Sequence, residues 1–196
     1  MKKGEKRKQM LLETAYRMFI SKGYEETSVD DIIAEAQIAK GTYYYYFKSK
    51  EQMLEEVIGM MIDAEAEKAR QILSSDMPAP MKIVGIFSAV RPSAEEAPIG
   101  DELNRPENLI MHNKINRRLI GTMIPLLSEA VGQGVREGIF SCDHIPERVK
   151  MLLCMSSTIF DEGGFTDNDI EVFVDITEKI LGAGKGSMDF IRQLIK

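Results

Sequence analysis

The chain has few of the residues that staple small secreted folds or build reactive centres. Among 196 residues there are two cysteines, Cys142 and Cys154, and two histidines, His112 and His144. Two isolated cysteines give no disulfide framework, and in a reducing compartment both are expected to stay free. No apolar run approaches the ~20 residues that a membrane-spanning helix needs. The opening Met1-Lys2-Lys3-Gly4-Glu5-Lys6-Arg7-Lys8 is not followed by an apolar signal region, so a cytoplasmic location is expected. There is no internal repeat, no low-complexity segment and no sustained apolar–polar alternation of the kind that marks strands. Cys142, Asp143 and His144 are metal-capable types, but they share one short loop before Pro146 with no partner pattern. That loop reads as a solvated turn, and no metal is expected. No nucleophile–base–acid arrangement is visible, so neither a catalytic residue nor a cofactor is expected.

Glycine is frequent near the C-terminus, in Gly182-Ala183-Gly184-Lys185-Gly186-Ser187. A phosphate-binding loop needs Ser or Thr directly after Gly-Lys, following a buried strand. Here Gly186 intervenes and a helical pattern precedes, so the segment reads as a helix terminator. A nucleotide-hydrolysing enzyme would rest on this segment alone.

Acidic residues outnumber basic ones, 31 to 25. The net charge is −6, which argues against a nucleic-acid partner until its distribution is read. Residues 1–50 carry +3 and residues 51–196 carry −9. The basic excess lies in one short N-terminal stretch, and the acidic remainder is free to face solvent.

That stretch holds the most specific pattern in the chain, Lys40-Gly41-Thr42-Tyr43-Tyr44-Tyr45-Tyr46-Phe47-Lys48-Ser49-Lys50. A short helix buries one face only, so at least two of the four tyrosine rings must look outward. Hydroxyls and ammoniums around one helix suit a surface of phosphate oxygens. Upstream, Leu11, Leu12, Ala15, Met18 and Phe19 have amphipathic helical spacing over residues 5–22, and Gly23 supplies a stop. Thr27 and Asp30 have capping-box spacing and open a second helix, whose apolar face is Ile32, Ile33 and Ala36. Gln37, Ile38 and Ala39 then form a turn of helix-turn-helix length. Ser49 and Gln52 make a second capping pair, opening a long helix that runs to about Leu73. Met53, Leu54, Val57, Met61 and Ala64 mark its apolar face.

On these residues the N-terminal part resembles the tetracycline-repressor (TetR) family of bacterial regulators. The likeness spans residues 5–60 and rests on Ala15, Phe19, Gly23, Tyr24, Thr27, Ile32, Ala36, Lys40-Gly41-Thr42, Tyr44-Tyr45-Tyr46-Phe47 and Lys50. It implies an all-α protein with a three-helix DNA-binding domain over residues 1–50. A fourth helix over 50–73 is shared with a helical ligand-binding and dimerisation domain over 51–196. The implied DNA-contacting set is Thr27, Ser28, Lys40, Gly41, Thr42, Tyr43, Tyr44, Tyr45, Tyr46 and Lys50, with Phe47 in the core. Two positions depart from the family: Gln37 stands where glycine is common, and Ala39 where serine is. Gln37 is therefore expected to sit in a strained turn at a cost of roughly 1 kcal/mol. Ala39 has no side-chain oxygen with which to cap. Tyr43 stands where an aliphatic residue is common and is expected either to read DNA or to pack.

Beyond residue 73 the reading is coarser. Ser74 to Pro80 is a turn, 81–90 a short apolar element, and 91–106, with Pro92, Pro98, Gly100 and Pro106, irregular. Residues 107–137 are helical with a kink or break at Pro125, and Gly138 ends them. Helices over 146–161 and 168–182, joined by Glu162-Gly163-Gly164-Phe165, precede a last helix over 187–195. The resemblance implies that the two longer of these pair across a homodimer. Its seam candidates are Val149, Leu152, Leu153, Ile159, Ile170, Phe173, Val174 and Ile176, which equally suit internal core. The thirteen methionines read first as core filling and second as an adaptable pocket. Met61, Phe87, Met111 and His112 are the ligand-contacting candidates. The implied function is a repressor released from a palindromic operator on double-stranded DNA by a small-molecule effector. The alternative is a DNA-binding regulator controlled without a small molecule, through architecture or a protein partner.

Overall fold

A computed structural model describes residues 3–90, 93–160 and 164–195. Among them there is no strand, in line with the all-α expectation. The helices are α1 (Lys3–Lys22), α2 (Val29–Glu35), α3 (Lys40–Tyr46), α4 (Lys50–Leu73), α5 (Ala79–Ala89), α6 (Ala97–Leu103), α7 (Leu109–Arg136), α8 (Ile145–Phe160), α9 (Asp167–Leu181) and α10 (Ile191–Ile195). Two short 3-10 turns, Ala94–Glu96 and Pro106–Asn108, flank α6.

The helices group into two compact units. The first holds residues up to Ala64 together with the segment ending at Arg118; the second holds Glu65–Arg91 and Leu119 onward. Both α4 and α7 therefore begin in the first unit and end in the second.

In the first unit, Leu11, Ala15 and Phe19 fall on one face of α1 by their i, i+4 spacing and are fully buried. Ile32 of α2 and Met53, Leu54 and Val57 of α4 complete the core with them. Gly23 ends α1 at φ 89°, and Tyr24 then turns its ring edge-on to Phe19 at 5.2 Å. Residues 94–103 are helical where the proline and glycine content suggested irregular chain. Proline is tolerated in a first helical turn, where no intrahelical donor is needed, and Pro98 and Pro106 stand at such positions. α6 packs on α1. Arg105 donates to the Glu25 carboxylate at 2.6 Å and to Glu102 at 3.2 Å, and Lys114 pairs with Glu55 at 2.6 Å.

In the second unit α5, α8 and α9, with the later parts of α4 and α7, enclose an apolar core. Its buried members include Ile86, Met123, Leu127, Phe140, Phe173 and Leu181. α7 runs unbroken through Pro125. The buried Lys82 ammonium donates at 2.7 Å to the carbonyl of Leu73, the last residue of α4. A cation at a helix C-terminus meets the orphan carbonyls and the negative end of the dipole. Gly138 and Gly182 close α7 and α9 with positive φ. The final helix is shorter than the apolar spacing suggested. Residues 187–190 are turns, and only Ile191–Ile195 is helical. Pro92, Glu162 and Gly163, named in the sequence reading, lie outside the described residues.

Candidate nucleic-acid interface

The turn between α2 and α3 is built by backbone chemistry. The N–H of Gln37 bonds the Ala34 carbonyl at 3.1 Å, and that of Ile38 bonds the Ile33 carbonyl at 3.2 Å. These are the paired bonds of a Schellman terminus, which requires a left-handed residue between them. Gln37 is that residue, with φ 52°, so the strained turn expected there is present. α3 then starts at Lys40 with no side-chain cap, because Ala39 offers none; the Thr42 N–H bonds the Ala39 carbonyl at 2.8 Å.

Two residues four apart anchor α3. Tyr43 and Phe47 are completely buried, their ring centroids 5.7 Å apart. The Tyr43 hydroxyl donates to the Ser49 carbonyl at 3.3 Å, and burial pushes this phenol up to about 12. This corrects the reading of Tyr43 as a DNA-contacting residue, because its ring and hydroxyl both face inward. With that face committed, Gly41, Tyr44 and Tyr45 fall together on the outer face. Tyr45 is 80% exposed and Tyr44 49%, and a Cβ on Gly41 would meet open space. Lys40 is exposed and paired at 3.1 Å with the equally exposed Asp30, which raises its pKa by hydrogen bond and charge. Such an exposed pair holds weakly and leaves the ammonium available to a phosphate. Thr42 and Tyr46 are half-buried, and Tyr46 meets Tyr45 edge-on at 4.9 Å.

Thr27 and Lys50 are placed differently from the sequence reading. Thr27 is fully buried, its hydroxyl donating to the Gly23 carbonyl at 2.7 Å, so it neither caps α2 nor faces outward. The cap is Ser28, in a reciprocal capping box with Asp31 at 3.0 Å in both directions. Asp31 also accepts from Lys22 at 2.8 Å, and these bonds hold its carboxyl down to about 2. Thr27–Asp30 and Ser28–Asp31 have the same spacing, and only packing of Thr27 against the end of α1 separates them. Lys50 turns inward: its ammonium donates to the Tyr24 carbonyl at 2.9 Å and stands 4.0 Å over the Tyr24 ring. Lys48, exposed just beyond α3, was not singled out from the sequence. Its position after the tyrosine run was the available signal. The Ser49 pair is half reciprocal: Ser49 Oγ accepts from the Gln52 N–H at 3.2 Å, while the Gln52 side chain accepts from Lys48.

The second unit contains an apolar cavity of about 120 Å³ between α5, α7, α8, α9 and α10. Its lining includes the buried Ile83, Val131, Val149, Leu153, Phe173 and Met188. Half-buried Phe87, Leu152, Ser156, Leu194 and Ile195 also line it. Of the four ligand-contacting candidates only Phe87 lines it. Met61, Met111 and His112 lie in the first unit and take no part. Of the seam candidates, which equally suited internal core, most take the core position within the protomer. Val149, Leu153, Ile170, Phe173 and Val174 are buried within the protomer, while Leu152 and Ile159 pack against that core. Ile176 is half-buried. Apolar spacing identified the inner faces of α8 and α9, and their outer faces expose Met151, Cys154, Val172, Asp175 and Lys179.

Residues 11–57 match the family described as bacterial regulatory proteins, tetR family, and residues 93–179 match the tetracyclin repressor-like C-terminal domain. The chain belongs to the tetR family. Among curated relatives of this tetR-family chain is the HTH-type transcriptional repressor KstR2 of Mycolicibacterium smegmatis. It is 40% identical over 83 residues, 42% of this chain and 40% of the relative. The fatty acid metabolism regulator protein of Bacillus subtilis is 26% identical over 142 residues, 70% of this chain and 73% of that protein. The matched stretches span two-fifths or less of the length of the first three relatives. In fold, the chain is similar to RolR in complex with resorcinol, with a TM-score of 0.66 at 15% identity over 99% of this chain and 95% of that one. A transcriptional regulator from Cytophaga hutchinsonii gives 0.60 at 15% identity, over 96% and 98%. No described helix is long and apolar enough to cross a membrane.

Proposed function

We propose that this chain is a sequence-specific transcriptional repressor that binds a palindromic operator as a homodimer and is released by a small molecule. The observation that carries the DNA contact is the division of α3: Tyr43 and Phe47 hold it from within, and Gly41, Tyr44 and Tyr45 face out beside Lys40 and Lys48. A helix anchored this way presents a fixed outer face to a major groove, with ammoniums and hydroxyls for base edges and phosphates. Ser28 at the start of α2 adds a hydroxyl at a helix N-terminus. One such face reads few base pairs. Two copies reading half-sites about 34–36 Å apart give a palindrome. The outer faces of α8 and α9, with Met151 and Val172 exposed, are the surfaces proposed to pair. Function at an operator places the protein in the cytoplasm.

Release is a difference in ligand affinity between two conformations. A ligand in the second unit acts on the headpiece through α4 and α7, which are continuous from one unit into the other. A differential of about 3 kcal/mol lowers operator affinity more than a hundredfold. The interface is tested with Tyr45→Ala and Lys48→Ala, neither of which opens a core cavity. Tyr45→Ala is expected to weaken operator binding roughly tenfold without lowering the melting temperature. Lys48→Ala is expected to reduce the salt slope of binding by about one. Unchanged affinity and slope in both would remove α3 from the interface.

A further inference from the structure

The cavity in the second unit restricts what the effector can be, and this inference rests on the small-molecule control proposed above. We infer that the cavity takes an uncharged, largely apolar molecule of about one six-membered ring. Size is the first argument. Drug-sized ligands occupy pockets of roughly 300–1,000 Å³, whereas an engineered cavity of about 150 Å³ lined by Leu, Ile and Phe takes benzene. At about 120 Å³ this cavity belongs with the second kind, and a long acyl chain or a multi-ring skeleton would have to extend beyond it.

Charge is the second argument. The lining contains no ionisable side chain, and its polar groups are two hydroxyls, Ser156 and Thr177. The Thr177 hydroxyl already donates to the Phe173 carbonyl at 2.7 Å. A cation or carboxylate would lose its hydration there and gain no counter-charge, a cost that normally excludes it. Ser156, half-buried in the lining, offers one hydroxyl to a single polar substituent.

The third argument is access. The C-terminal segment supplies Met188, Ile191, Leu194 and Ile195 to the wall. It follows Gly182, which has positive φ, and is tied back by a bond from the Met188 N–H to the Glu178 carboxylate at 3.2 Å. This part of the wall packs on α5 and α9 and ends in a short helix beyond a glycine turn, which makes it the segment assigned to ligand entry.

The test uses the full chain labelled at the methionine methyl groups, with Met188 as the reporter inside the cavity. Toluene is titrated against N-methylpyridinium, which has its shape with a positive charge. The expected result is a saturable shift of the Met188 methyl by toluene, with N-methylpyridinium binding about tenfold more weakly or worse. Leu152→Phe and Ser156→Phe add bulk to the cavity from half-buried lining positions and are expected to abolish the shift while the helical signal remains. Equal binding of the charged probe, no binding of toluene to the unaltered chain, or a shift that survives both substitutions would overturn the inference. Operator affinity is measured in the same samples. Saturation of Met188 with no change in DNA binding supports the ligand class and counts against release by that ligand. DNA binding lost to a charged effector while Met188 stays silent keeps the repressor reading and overturns this one.

Discussion

At the scale of single residues, lysines of one short segment divide between two tasks. Lys40 and Lys48 point outward, whereas Lys50 has 19% of its side-chain surface exposed and its ammonium on the Tyr24 carbonyl. Loss of a charged hydrogen bond to a carbonyl costs on the order of 1–2 kcal/mol when the group is partly buried. Lys50→Ala is therefore expected to lower the stability of the headpiece by about that amount, read from chemical denaturation. Its effect on DNA affinity should follow from that loss, with a salt slope close to that of the parent chain. A slope reduced by one with unchanged stability would return Lys50 to the phosphate-contacting set. Tyr43 and Tyr45 make the same division between neighbours of one residue type. One hydroxyl is bonded inward at 3.3 Å, and the other side chain is 80% exposed.

At the scale of elements, helix ends decide how the segments connect. α2, α7 and α9 all close with the same bond pair around a left-handed residue. At α9 that residue is Gly182, φ 61°, with Ala183 N–H on the Glu178 carbonyl at 2.8 Å. A Cβ on Gly182 would lie 2.2 Å from the Ser141 carbonyl oxygen, so the position is barred both by φ and by backbone contact. Gly182→Ala is expected to destabilise the chain by roughly 1–3 kcal/mol, read as a lowered denaturation midpoint. A midpoint within error of the parent chain would show that this junction carries no strain. At α2 the corresponding residue is Gln37, and there the chain accepts the cost of a non-glycine left-handed residue.

These junctions also show what was legible beforehand. The helices of the headpiece could be placed from apolar spacing and their glycine or capping ends, because each signal there is local. The capping pair of α2 was read one residue early, as Thr27–Asp30 for Ser28–Asp31, since tertiary burial of Thr27 chooses between registers of equal spacing. Prolines at 98 and 106 suggested loops, yet they stand where a helix begins and needs no donor. The inner and outer faces of α8 and α9 are both partly apolar, so periodicity found the buried faces and left seam and internal core open for them. Of the ligand-contacting candidates only Phe87 lines the cavity, because its wall is assembled from five helices and spacing within one helix does not show which faces meet.

At the scale of the whole molecule, acid is expected to act on many helix ends together. Asp31 is held down to about 2 from an ordinary 3.8, chiefly by its bond from Lys22 and then by Ser28. Glu51, Glu137, Asp143 and Asp169 are also lowered, each by hydrogen bonds to its ionised form. A carboxyl with a depressed folded pKa stabilises fully above its unfolded value and loses that contribution as pH falls through its folded value. For Asp31 that window runs from about 4 down to about 2. Acid unfolding followed by the helical signal is expected to shift to higher pH in Asp31→Asn and Asp169→Asn, because the carboxylate-dependent bonds are already absent. Superimposable acid transitions would contradict the assigned capping boxes.

The central claim is that two copies of α3 read DNA as a symmetric pair. The most direct measurement is selection of bound sequences by the full chain from random duplex DNA, followed by salt titration on the enriched site. The account predicts a palindrome whose half-sites lie one helical turn apart, with affinity falling steeply as salt rises. No enrichment, or salt-sensitive binding without sequence preference, would contradict it.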